Sequence, residues 1–174
     1  VHMVAPAIQE CMDALKNVAI ESIPLLLCVA EKERPGRFDG LDVRLLNEVQ
    51  DELNVRFHKN SAVISQGRVG GVIAVKMATD LLYQERLPFC IVAGVDTFLV
   101  AGTLAAFEEK DRLLTESNSD GFIPGEAAAA VLLCPGNQNT VGQMMIKGIG
   151  FGKEVAFIDS GEPLRAEGLT HAFK

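Results

Sequence analysis

The run Ser65-Gln66-Gly67-Arg68-Val69-Gly70-Gly71 is where this sequence concentrates the means for chemistry. A strand entering such a turn and a helix leaving it can present a nucleophile at a helix N-terminus. Free N–H groups and the helix dipole there lower a thiol pKa and stabilise an oxyanion. The same geometry can cradle a phosphate, or simply let a helix pack close to a sheet. Glycines at 67, 70 and 71 supply neither G-x-x-x-x-G-K-[ST] nor G-x-G-x-x-G, so nucleotide binding is disfavoured. The turn contains no cysteine. Gly67 and Val69 carry no nucleophile, and Arg68 keeps its proton in any protein setting. Ser65 attacks only with an adjacent general base, and the sequence assigns it none. A hydrolase of the G-x-S-x-G elbow type has no counterpart in the chain.

Three carboxylates outside the turn invite an acid/base reading. Asp96 follows an apolar strand, where α/β proteins place functional groups, though loop capping is the preferred role. Asp120 and Glu126 flank Gly121-Phe122 and Gly125, and a structural role for Glu126 against backbone N–H groups or a basic side chain is preferred to catalysis. His2, His58 and His171 lie far from any cysteine in sequence. Cys11, Cys28, Cys90 and Cys134 form no C-x-x-C pair, which predicts reduced, buried thiols in a cytoplasmic protein, with no metal site and no cofactor. Lys110-Asp111-Arg112 reads as solvated surface.

Several elements must position these residues. Val4, Ile8, Cys11, Met12 and Leu15 predict a helix over 5–17. Pro24 opens a strand through Ala30, and the charged stretch 31–40 carries the turn pair Pro35-Gly36. Leu41, Leu45, Leu46, Val49 and Leu53 mark a second amphipathic helix. Residues 55–64 alternate as a strand, interrupted at Lys59-Asn60. The helix after the glycine-rich turn presents Val72, Val75, Ala78 and Leu82, and Phe89 to Gly94 follows as a strand apolar enough to be buried on both faces. That order is a βαβ unit with parallel strands. Residues 99–114 read as helix and turn, 117–121 as loop, 126–133 as another buried strand whose four alanines also suit a helix, 136–140 as a turn and 144–151 as the start of a further strand. Residues 169–173 open a helix after a polar tail, and no linker or internal repeat divides the chain.

Composition narrows the function classes. The 174 residues are 48% hydrophobic and 22% charged, enough for a folded domain with a real core. A net charge of −7 argues against a non-specific nucleic-acid binder. No apolar run reaches the ~20 residues of a membrane span, and no secretory signal is visible.

Ala93-Gly94-Val95-Asp96, a helical pattern, then Gly121-Phe122 and Pro124-Gly125-Glu126 leading into 127–133 together carry a resemblance. The segment resembles the β-ketoacyl synthases of the thiolase superfamily, whose strand ending in Ala-Gly-Gly precedes a helix and a Gly-Phe…Gly-Glu-Gly-Ala segment. The similarity is best over 61–133 and extends to 24–152. It implies an α/β fold: a thiolase-like half with a mixed, mostly parallel sheet and helices on both faces. It also implies that 1–174 is one partial domain without the family's C-terminal half and its two active-site histidines. Neither His58 nor His171 matches them. Matching the helix after the turn places the family's nucleophile at Arg68. The alternative is Gln66, because a glutamine replaces the cysteine in non-condensing partner subunits of some polyketide synthases. Ser65, Gly67, Gly70, Gly71, Asp96, Gly121, Phe122, Gly125 and Glu126 become the residues that support the site. The resemblance implies an acyl carrier protein or acyl thioester as partner, no condensing activity, and homodimerisation through the strand near 62–65, either as an enzyme-like protein or as a non-catalytic scaffold.

Overall fold

A computed structural model describes residues 1–136, 142–156 and 160–174. The chain divides into two compact units, Val1–Pro135 and Gly136–Lys174.

The first unit is built on four strands: β1 (Leu25–Cys28), β2 (Ala62–Ile64), β3 (Cys90–Thr97) and β4 (Glu126–Leu133). Their order is β2-β1-β3-β4. β1 runs parallel to both β2 and β3, with Leu27 opposite Val63 and Ala93, while β4 is antiparallel to β3 with Ala93 opposite Ala130. The sheet is therefore mixed and mostly parallel, in an α/β fold.

Alternation along the two central strands distributes their side chains between two cores. Leu25, Leu27, Ile91 and Ala93 join one, with Val4 and Ile8 of helix α1 (Val4–Asp13) and Leu45 and Val49 of helix α2 (Leu41–Glu52). Leu26, Cys28, Cys90 and Val92 join the other, beneath helix α3 (Gly70–Tyr83). Helices thus cover both faces. Each fully buried Leu or Ile contributes about 1.5–3 kcal/mol.

Several boundaries differ from the sequence expectations. α1 stops at Asp13, four residues short, and Asn17 takes a left-handed φ of 59°. Only 62–64 of the stretch 55–64 is strand. Asn54 adopts φ 52° after α2, and His58 N–H bonds Ile23 O while Ser61 N–H bonds His58 O, so the chain turns until Ser61. On α3 the buried positions are Gly70, Ala74, Ala78 and Leu82, a strict i, i+4 row, and Val72 is 48% exposed. The smallest residues face the sheet, which lets the helix lie close to it. β4 is a strand as expected, but it lies at the sheet edge and is exposed or half-buried throughout. Helix α4 (Ala101–Glu109) lies within 99–114.

In the second unit, helix α5 (Glu167–Ala172) forms where the sequence opens one. The described residues of 144–151 form no strand. Gly150 and Gly152 instead lie against the α5 backbone at Ala172 and Gly168. Most of the expected 136–140 turn lies outside the described residues.

Candidate functional site

β2 delivers the chain to the glycine-rich turn. Ser65 and Gln66 follow the strand, Gly67–Val69 forms one 3-10 turn, and α3 starts at Gly70. Gly67 has φ 51°, a left-handed conformation that favours glycine, and its N–H donates to Val29 O at 3.2 Å. Gly70 is buried against Cys28, with ordinary contact room for a Cβ, whereas Gly71 faces open space. Gln66, Arg68 and Val69 are exposed.

Ser65 has a partner that sequence reasoning did not find. Its hydroxyl donates to Asp42 Oδ1, at the start of α2. Arg37 Nη2 donates to the same oxygen at 2.8 Å and to Ser65 Oγ at 3.2 Å, and Arg37 Nε donates to Ala30 O at 3.1 Å. The Ser65 hydroxyl holds the Asp42 carboxyl below its ordinary value; partial burial opposes this, and Arg37 and Lys32 add to the lowering. A carboxylate so well satisfied is a poor proton acceptor, so the trio ties β2, α2 and the loop after β1 together.

A second cluster lies at the C-terminal ends of β1 and β3. Arg34 is buried, its side chain 3% exposed. Its Nε and Nη2 donate to Glu31 at 3.1 and 2.7 Å, and its Nη1 to Asp96 Oδ1 at 2.5 Å. Its guanidinium lies 4.5 Å from the Phe98 ring centroid. Phe98 packs against Phe107 and Phe122, and Phe122 meets both edge-on. Gly121 permits this, because its Cα lies against the Leu113–Leu114 backbone where any Cβ would collide. The buried Thr103 hydroxyl donates to Pro35 O at 2.7 Å, holding the same loop against α4.

Glu31 links the cluster to the turn. A Cβ on Gly67 would collide with Glu31 Oε2. Partial burial pushes the Glu31 carboxyl up, but the Arg34 hydrogen bonds, a backbone hydrogen bond and the charges of Arg34 and Arg68 outweigh it, leaving the group below its ordinary value.

Beside the turn, an apolar groove of about 410 Å³ opens along β3 and β4, lined by Cys28, Gly67, Gly71, Gly94, Ala129 and Val131 among others. Cys28 brings a thiol next to Gly70 from β1 rather than from the turn. Burial pushes that thiol up to about 11, so roughly one part in ten thousand is thiolate at neutral pH. It is not an activated nucleophile.

The structure thus gathers Ser65, Gly67, Gly70, Gly71 and Asp96 around one end of the sheet, with Phe122 reaching it through Phe98. Asp96 accepts from its own neighbour, Thr97 N–H, at 2.9 Å as well as from Arg34, so capping is accompanied by a partly buried ion pair. Glu126 accepts from the Thr97 hydroxyl at 3.1 Å, rather than from backbone N–H or a basic side chain. Asp120 accepts from Ser119, so the two carboxylates serve separate ends of their loop. Gly125 contributes its carbonyl to Phe98 N–H at 2.9 Å and has open space at its Cα. His58 Nδ1 accepts from Asn60 N–H before β2, and His171 lies on α5. Sequence reasoning missed Glu31, Arg34, Arg37 and Asp42. The i, i+3 spacing of Glu31 and Arg34 was a signal, but only the fold brings Asp96 to them.

Comparison with known proteins adds a partial family match. The family described as "Beta-ketoacyl synthase, N-terminal domain" matches residues 69–139, beginning at the residue after Arg68. No curated protein matches the chain. Similar solved structures include the ketosynthase from module 6 of the bacillaene synthase of Bacillus subtilis 168, in a mutant form (18% identity, TM-score 0.49, 67% of this chain and 22% of that one). Others are an HMG-CoA synthase from Bacillus subtilis (18%, TM-score 0.47, 75% and 28%) and a β-ketoacyl-[acyl carrier protein] synthase III from Thermus thermophilus (12%, TM-score 0.48, 79% and 37%). The chain spans well under half the length of these proteins. Over 69–139, which takes in α3, β3, α4 and β4, the chain is β-ketoacyl-synthase-like.

Proposed function

We propose that this is a β-ketoacyl synthase-like protein that meets acyl thioesters, of fatty acid or polyketide type, and does not condense them. The observation that carries this reading is Arg68. It stands immediately before the family match, in the turn that starts α3, where the resemblance puts the nucleophile. With no thiolate there, acyl transfer from a carrier protein has no anchor. Gln66, the alternative position, leads to the same outcome. The neighbouring Cys28 stays protonated, and the base beside Ser65 is already engaged by Arg37. The test is intact mass after incubation with a labelled acyl thioester. No stoichiometric adduct is expected. An adduct mapped to 65–71 or to Cys28 would overturn the reading.

A second reading is a non-catalytic dimeric scaffold, in which 1–174 forms part of a larger domain. In its favour, β2 is an edge strand bonded only to β1 among the described strands, and Val69 and Val72 beside it are 58% and 48% exposed. Pairing of β2 with its copy would cover that edge. Sedimentation equilibrium at micromolar concentration tests it, and a monomer throughout would count against it.

A further inference from the structure

Glu31 holds a position that a ligand's carboxylate could otherwise take. Its two oxygens receive Nε and Nη2 of Arg34, a paired arrangement that any free carboxylate can reproduce. With Glu31 in place the Arg34 side chain is only 3% exposed. The Arg68 charge also acts on Glu31. On its other side Glu31 fills the space over Gly67, a residue with no side chain and a left-handed φ of 51°. The same Gly67 lines the apolar groove along β3 and β4.

We propose that Glu31 is a built-in plug, and that the space it fills between Arg34 and Gly67 is a latent binding site for a carboxylate. Tethered three residues from Arg34, the plug acts at an effective concentration that a dissolved carboxylate cannot match. Its side chain remains 42% exposed, so it can swing outward without unpacking the core. When it leaves, Arg34 keeps Asp96 and exchanges two charge-assisted hydrogen bonds for water, and an incoming carboxylate restores both. The plug is a property of the loop after β1 and stands independently of whether acyl thioesters are what the protein meets.

The test uses the full chain, acetate as probe, and the amide resonance of Gly67 together with the melting temperature. Glu31→Ala is expected to bind acetate saturably, at least about tenfold tighter than the unaltered protein. Its melting temperature is expected to rise with acetate and not with equal chloride. Glu31→Gln, which keeps the volume and an acceptor, is expected to stay as unresponsive as the unaltered protein. Equal response of Glu31→Ala and the unaltered protein, equal effects of acetate and chloride, or no response in either would overturn the proposal. If Glu31→Ala is unfolded in dilute buffer, Glu31→Ser carries the same titration. Recovery by acetate alone supports the plug, and failure in both salts overturns it.

Discussion

Gly67 and Gly71 lie four residues apart under opposite constraints. Gly67 is left-handed and has Glu31 against its Cα, so Gly67→Ala adds both backbone strain and a collision. It is expected to destabilise by at least about 1–2 kcal/mol. Gly71 is in the first turn of α3 with nothing near its Cα, so Gly71→Ala is expected to stabilise by up to about 1 kcal/mol. Urea unfolding of the two variants distinguishes them. Arg34 is the side chain whose loss costs most here. Replacing it with Met leaves Glu31 and Asp96 without the guanidinium from which both accept. Loss of one partner of a buried pair costs about 3–5 kcal/mol, and about 2–3 is expected because both carboxylates remain roughly two-fifths exposed. Glu31 and Asp42 also set an acid limb. Both titrate lower in the folded chain than their ordinary values of 4.5 and 3.8. Their contribution is therefore complete above those values and is lost as pH falls through the lower folded ones. Stability is expected to change little between about pH 5 and 7 and to fall below about pH 4.5, with a shallower fall in Glu31→Gln.

At the scale of elements, β4 separates what pattern reveals from what packing decides. Its run Ala127–Leu133 reads as a buried strand because nothing in it is charged. It pairs with β3 over eight residues and meets the α1-side core through Ala128, Ala130 and Leu132, while on its other side the last residue, Leu133, reaches the core beneath α3. The other side carries Val131 at 50% exposure. Val131→Asp is therefore expected to cost less than about 1 kcal/mol, whereas Ala130→Asp brings a charge against the core and is expected to cost at least about 2. Chemical denaturation reads both. The central strands were legible because Leu25–Cys28 and Cys90–Ala93 are apolar without a break, as two covered faces require. The α3 face was not. Val72 and Val75 outweigh Ala74 in any hydrophobic periodicity, but close approach to the sheet selects the small row 70, 74, 78, 82. The turn itself was legible from its glycines. The ion-pair cluster was not, because Arg34 and Asp96 are 62 residues apart and meet only once β1 and β3 pair.

For the whole molecule, the thiols report the integrity of the fold. Cys28 and Cys90 are buried and pushed up to about 11 and 12 by that burial. Cys11 and Cys134 are only half-buried. Iodoacetamide at pH 7.5 is expected to label Cys11 and Cys134 first, and Cys28 and Cys90 only on unfolding, as peptide mass mapping would show. Rapid labelling of Cys28 in the folded protein would mean that the groove beside Gly70 activates its thiol instead of suppressing it. The reversed direction of β4 has a practical corollary. Thr97, at the Asp96 end of β3, pairs with Glu126, and the chain then runs back until Leu133 pairs with Cys90. Cys134 follows directly, about 20 Å along the strand axis from Asp96. A Cys11→Ser variant tethered to a sensor chip through Cys134 would stand on that end of its sheet, leaving Asp96 and the glycine-rich turn at the end toward the flowing analyte.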